Sequence, residues 1–297
     1  MPRNRQALRI VWLAALLAAL FALFVRLIPW RAELAETNFQ ANLIRLESFL
    51  FDPPPHAVVV GSSFTGRLLP DYFQSTPLAP VANLGLDGSS PTFGLALTLR
   101  RPPPIVLVEE NTLLLPWDAN DDLLSAATNS VQFRLSRSFP MLRARSRPSS
   151  VLYSWLKLRR RGTEGAPSES LQFRPQTDVS RDTGAAAAKP TPPTPAGDVL
   201  RAEMKELLAR GSRIVLFRLP AGPPSLVEDN AAYGLGEQLA REFHLKELNL
   251  VAECYRRREV PVYTDGMHLT PGSARQLSRL LAQLLAESDL TAKRGDP

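Results

Sequence analysis

Cysteine is nearly missing from this chain of 297 residues. Cys254 stands alone, so no disulfide can close within the chain and no multi-cysteine metal site can form. Its surroundings, Leu250, Val251 and Tyr255, suit a small buried apolar residue. Histidine is almost as scarce. His56, His244 and His268 are the three present, and they form no clustered ligand motif, so no metal and no other cofactor is expected. Glycine (16) is outnumbered by proline (27). The prolines gather at 53–55, 102–104 and 190–195, as stiff punctuation between elements. Acidic residues are absent between Leu123 and Thr163. Arg134, Arg137, Arg143, Arg145, Arg147, Lys157, Arg159, Arg160 and Arg161 accumulate there instead. The whole chain carries a net charge of +6, which favours acidic lipid headgroups, an anionic polymer or nucleic acid as a partner. At 44% hydrophobic residues it is not a disordered polypeptide. It is long enough for one large α/β domain with additional segments.

What is abundant first is an apolar run. Residues 10–25 are uninterrupted and bracketed by Arg9 and Arg26. With Ala7, Leu8, Leu27 and Ile28 the run reaches about the twenty residues that a bilayer core requires, and the flanking arginines can snorkel. Arg3, Arg5 and Arg9 precede it, whereas Arg26 and Arg31 beyond it are soon offset by Glu33 and Glu36. The positive-inside rule then puts the N-terminus in the cytoplasm and everything after about residue 30 outside it. The expectation is a single-pass anchor over residues 1–30 in the inner (cytoplasmic) membrane, with the domain in the periplasm or outside. No small-x-small cleavage site follows closely, which weighs against a cleaved signal peptide. Leu34, Phe39, Leu43, Leu46, Phe49 and Leu50 recur at near-helical spacing, predicting a juxtamembrane helix over 31–52 that ends at the three prolines.

Short β-branched or aliphatic runs then alternate with polar turns. Strands are expected at 57–60, from Val81 into a glycine-rich loop, at 104–111 and at 213–218, with a last short one at 260–263. Helices are expected from the Gly61-Ser62-Ser63 turn to about residue 73, and at 91–99, 198–208, 236–243 and from 271 onward. Thr270 is the cap of the last helix and Pro271 its first residue. Ala274, Leu277, Leu280, Leu281, Leu284 and Leu285 form its apolar face. Strand–turn–helix repetition of this kind builds a parallel, doubly wound sheet. The fold class is therefore α/β, a three-layer α/β/α sandwich over 53–290 with a parallel, flavodoxin-like sheet, preceded by one N-terminal transmembrane helix. The basic stretch 117–183 interrupts the pattern as an insertion of one or two amphipathic helices. It reads as a lid, an anionic-polymer surface, a membrane-surface helix or a solvated basic face. A Pro/Ala-rich linker at 184–197 and a disordered tail at 291–297 complete the division.

Chemistry gathers at the ends of the strands. Val58-Val59-Val60-Gly61-Ser62-Ser63 ends a central strand on a hydroxyl, at the sheet edge where open α/β folds place reactive groups. A serine is a weak nucleophile until a base takes its proton, and the base needs a partner that fixes its tautomer. Asp265-Gly266-Met267-His268, just before the last helix, offers both within one turn. Donors for an oxyanion come from the Ser63 N–H, the Gly88 N–H in a glycine-rich loop, and the Asn111 side chain.

In chain order, Gly61-Ser62-Ser63, Asn83-x-Gly85-x-x-Gly88, a strand ending in Asn111, and Asp265-x-x-His268 resemble the four blocks of the SGNH (GDSL-like) hydrolase superfamily. Within it the chain is similar to the membrane-anchored bacterial proteins of alginate and cellulose O-acetylation. The resemblance spans 57–111 and 213–286. It implies an SGNH-type sheet with Ser63 as nucleophile, His268 as general base, Asp265 as its orienting partner, and Gly88 and Asn111 as oxyanion donors beside the Ser63 N–H. Two positions depart from the pattern. Ser62 stands where the family has Asp in Gly-Asp-Ser, and Glu109-Glu110-Asn111-Thr112 stands where it has Gly-x-Asn-Asp.

The function expected is a membrane-anchored, extracytoplasmic serine esterase or O-acetyltransferase acting on O-acyl groups of a cell-envelope or exported polysaccharide. Its partners would be the bilayer, that polysaccharide and a membrane-bound O-acyltransferase. The alternative is a non-catalytic scaffold or polymer-binding subunit of an envelope O-acylation or export complex. Nucleic acid rests only on the arginine-rich stretch, and an extracytoplasmic placement argues against it.

Overall fold

The computed structural model describes residues 2–27, 37–153, 156, 173–175, 195–220, 231–264 and 267–294. They group into two compact units, Met1–Glu47 with Leu124–Gly165, and Ser48–Leu123 with Ala166–Pro297.

The second unit holds a sheet of five parallel strands in the order β2-β1-β3-β5-β6. Its strands are β1 (Ala57–Gly61), β2 (Val81–Gly85), β3 (Ile105–Glu109), β5 (Arg213–Arg218) and β6 (Lys246–Asn249). The short β4 (Phe173–Pro175) pairs antiparallel with β7 (Glu259–Pro261) in a separate ribbon. Strands buried on both faces need continuous apolar sequence, and Val58-Val59-Val60, Val106-Leu107-Val108 and Ile214-Val215-Leu216-Phe217 supply it. Alternate residues then serve opposite layers. Ala57, Val59, Leu107, Val215 and Phe217 share one core with Leu250 and Cys254 of α8 (Leu250–Arg257) and with Ala274, Leu277, Leu281 and Leu285 of α9 (Pro271–Arg294). The opposite face is covered by α3 (Pro91–Arg100), against β1 and β2, and by α6 (Pro195–Ala209), against β5 and α3. The α7 helix (Ala231–Phe243) packs on α6 and β6. This is a three-layer α/β/α architecture. Its strand order reverses between β1 and β3, the switch point at which such sheets place their sites.

Several expected elements take a different form. Beyond Ser63 there is no α-helix to residue 73 but two 3-10 turns, Thr65–Arg67 and Pro70–Phe73. Pro70 cannot continue a helix, and the Asn83 amide takes the Thr65 and Leu68 carbonyls at 2.8 and 2.7 Å. β6 carries a single buried residue, Leu248, and its Lys-Glu-Leu-Asn sequence gives no apolar run to announce it. Tyr263 belongs to no strand and makes an isolated bridge to Leu269. The last helix continues to Arg294, where a tail was expected from 291, and α6 begins at Pro195, inside the expected linker. The rest of that linker, 184–194, lies outside the described residues.

The first unit contains α1 (Pro2–Leu27), whose stretch Gln6–Val25 is long and apolar enough to cross a membrane. The expected juxtamembrane helix is α2 (Asn38–Phe51), with 28–36 outside the described residues. The basic insertion opens with α4 (Ala119–Asn129) and α5 (Val131–Ser138), followed by 3-10 turns at Pro140–Leu142 and Ala144–Ser146. This unit is held by a buried polar cluster. Glu47 accepts the Ala144 N–H at 2.6 Å, with Arg143 and Arg147 nearby, and burial still pushes its carboxyl upward. Gln40 donates to Ser150.

Candidate active site

The site is assembled on the Gly61-Ser62-Ser63 turn at the carboxyl end of β1. Ser63 is half-buried, and its Oγ lies 3.0 Å from Nε2 of His268. These residues are 205 positions apart in sequence, and a hydrogen bond between them is what a serine–base pair requires. The Phe64 ring flanks the imidazole, with ring centroids 5.9 Å apart.

His268 is presented by a tight reversal between β7 and α9. Tyr263 and Leu269 pair antiparallel, and the His268 carbonyl accepts the Thr264 N–H at 2.8 Å and the Thr264 hydroxyl at 3.1 Å. Thr270 donates its N–H to Val262 O at 2.9 Å and caps α9 through the Ser273 N–H at 3.3 Å. The Tyr263 hydroxyl donates to Pro220 O at 3.0 Å, tying the reversal to the end of β5. Asp265, the expected orienting carboxylate, lies outside the described residues.

The turn beneath Ser63 is braced by a residue that the sequence marks only as a departure from the expected third block. Glu109, at the end of β3 and fully buried, accepts the Ser62 N–H at 3.0 Å. The Ser62 hydroxyl lies 3.1 and 3.2 Å from its two oxygens, and Thr112 donates to it at 3.2 Å. Burial pushes this carboxyl upward, and the hydrogen bonds from Ser62, Thr65 and Thr112 pull it back. The signal was present. Val60 pairs with Val108, so the next residues, Gly61 and Glu109, come alongside. A Cβ on Gly61 would collide with the Glu109 carboxylate and would sit 2.7 Å from Thr65 Oγ1. The missing side chain at 61 is the space that Glu109 fills, and Ser62 supplies a hydroxyl to it.

Of the three expected oxyanion donors, two are backbone N–H groups and the third is the Asn111 side chain. Among the described residues the Ser63 N–H has no hydrogen-bond partner, and neither does the Gly88 N–H. Gly88, at φ 67°, is the third residue of a turn closed by Ser89 N–H to Leu86 O at 3.2 Å. Only a residue without Cβ adopts that angle readily. The loop is anchored from behind: the buried Asp121 accepts from Ser89 and from the Ser90 N–H (3.2 Å), and the Asn120 amide donates to Gly88 O at 3.0 Å.

Asn111 is placed for another task. Its amide nitrogen donates to Leu219 O at 2.8 Å and to the Tyr233 hydroxyl at 3.1 Å, and its oxygen accepts the Leu219 N–H at 2.9 Å. An amide has two N–H donors, and here one goes to Leu219 just beyond β5 and the other to Tyr233 on α7, so in place of the expected oxyanion role Asn111 acts as a brace between the end of β3, the β5 loop and α7. Beside it Arg218 gathers Glu110 (2.7 Å), Glu237 (3.2 Å) and Glu247 (2.5 Å), with its guanidinium 4.6 Å above the Tyr233 ring. Burial, together with the Glu247 charge, pushes Glu110 up to about 8 against the pull of Arg218. Among the described residues, no group of three His, Cys, Asp or Glu side chains is placed to hold a metal ion.

Fold and site together define an open parallel α/β domain with a serine–histidine pair at its switch point. No protein-family model matches the chain, and no curated protein matches it either.

Proposed function

We propose that the chain is a membrane-anchored serine esterase or O-acyltransferase of the SGNH type, acting outside the cytoplasm on O-acyl groups of a cell-envelope or exported polysaccharide. The observation that carries this reading is the 3.0 Å contact between Ser63 Oγ and His268 Nε2. His268 takes the Ser63 proton as the hydroxyl attacks an ester carbonyl. The oxyanion that forms is met by the Ser63 and Gly88 N–H groups. His268 then returns the proton to the departing alcohol, leaving an acyl-serine. Water or a sugar hydroxyl, deprotonated by the same imidazole, releases the acyl group. Asp265 is assigned the orienting role on the resemblance of its sequence block. Because the oxyanion is met by two backbone donors and not by Asn111, the reading does not depend on the altered third block.

The test is covalent labelling of the full chain, in membranes or detergent, by a serine-directed fluorophosphonate, together with turnover of a chromogenic acetyl ester. Labelling at Ser63 and its loss in Ser63→Ala are expected. His268→Ala is expected to lower labelling and turnover on the order of 10⁴-fold or more. A second reading, an SGNH-fold scaffold that recruits polymer or an acyltransferase, is favoured by the engagement of Asn111 away from the serine. An unlabelled Ser63 in a folded chain would put that reading ahead.

A further inference from the structure

The α5 helix turns two kinds of side chain outward. Phe133 and Ser136 are buried, whereas Val131, Leu135 and Phe139 are 62%, 45% and 53% exposed. Their spacing of four places them along one side of the helix, and the Leu135 O to Phe139 N–H bond of 2.9 Å keeps the last of them in line. Arg134 and Arg137 are exposed beside this stripe. Neither has a carboxylate partner among the described residues, and the sequence offers none from 124 to 163. The arginines nearer the core behave differently: Arg143 and Arg147 lie near the buried Glu47, and Arg143 donates to Ser136 O at 3.2 Å.

We infer that the Val131–Leu135–Phe139 stripe of α5 inserts into the interface of an anionic bilayer, with Arg134 and Arg137 at its phosphate groups. Two observations select lipid as the occupant. Apolar side chains interleaved with unpaired cations match the layered chemistry of headgroups above acyl chains. In addition, α1 packs against the Pro140–Leu142 turn that directly follows the stripe. Among the residues of that helix whose burial is described, Phe21, Ala22 and Val25, in its last turns, are half-buried. Three apolar side chains on a short helix would bind lipid weakly by themselves. Tethered to a membrane-spanning helix, the insertion becomes an intramolecular event and needs little intrinsic affinity. The proposal rests on the anchor reading of α1, and it is independent of the serine chemistry.

The test reconstitutes the full chain into phosphatidylcholine vesicles containing about one-third phosphatidylglycerol, with an environment-sensitive fluorophore on one introduced cysteine. Cys254 is buried in the core and leaves the introduced thiol as the reactive one. Leu135→Cys reports the stripe, Leu16→Cys the middle of α1, and Val199→Cys, exposed on α6, the aqueous reference. Blue-shifted emission at 135, with about half of it lost to nitroxide-bearing lipid as for a group at interface depth, is expected. At 199 neither change is expected. Arg134→Glu with Arg137→Glu should return position 135 to aqueous emission while 16 stays quenched. Aqueous emission at 135 with quenching at 16 would overturn the docking surface and leave the anchor standing. Aqueous emission at both would overturn both. A shift at 135 that follows protein density, or that a soluble anionic polysaccharide produces without lipid quenching, would also overturn it, in favour of a second copy or a polymer.

Discussion

At the scale of single residues, two polar side chains at and just beyond the end of β3 hold neighbouring loops in place. Glu109 holds Ser62 from below, and Asn111 holds Leu219 through donor and acceptor together. Asn111→Ala would leave the Leu219 N–H and carbonyl without their partner in a buried position. A loss of about 2 kcal/mol is expected, since each orphaned group carries its desolvation penalty. Fluorophosphonate labelling of the folded fraction should stay within about tenfold of the parent. Denaturant titration and labelling of the same sample separate the two effects. A labelling rate that collapses while stability holds would restore Asn111 as an oxyanion donor.

Among elements, the ends of β3 and β5, the edge strand β6 and α7 are joined by one guanidinium and three carboxylates, of which Glu110 is the fully buried one. Glu110 is fully buried, and in the folded chain it is pushed from 4.5 to about 8. Glu109 and Glu247 are raised in the same direction, each mainly by burial. A carboxyl raised on folding binds more protons in the native state than in the unfolded one. Its contribution is therefore fully present below the unfolded value and is lost as the pH rises through the folded value. The thermal midpoint should fall between about pH 4.5 and 8, and Glu110→Gln should flatten part of that fall. An unchanged slope in the variant would mean that Glu110 ionises in the folded chain as it does in water. The edge strand β6 takes part in this cluster through Glu247 although only Leu248 on it is buried, which is why hydrophobic pattern alone passes over it.

For the whole molecule, the proposed anchor reading of α1 sets the compartment in which the proposed acyl chemistry would occur. The arginines before the apolar run predict a cytoplasmic N-terminus, so a periplasm-active reporter fused after residue 297 should be active and a cytoplasm-active one silent. The opposite pattern would move the domain to the cytoplasm and reopen nucleic acid as a partner for the basic insertion. The sequence by itself determined the fold class, the central strands, the last helix with its cap, and an apolar helix at the N-terminus. Each of these rests on local periodicity, on turn chemistry or on a long uniform run, and such signals are complete within a few neighbouring residues. It also singled out Ser63, Gly88 and His268, because a hydroxyl, a glycine and an imidazole at strand ends are conspicuous there. Only the tertiary structure decided that Ser63 and His268 meet at 3.0 Å across 205 residues, that Glu109 braces the turn through Ser62, and that Asn111 is taken up by Leu219 and Tyr233. Those outcomes depend on strand order and register, which bring residues from different β–α units to one edge. No stretch of contiguous sequence carries that information.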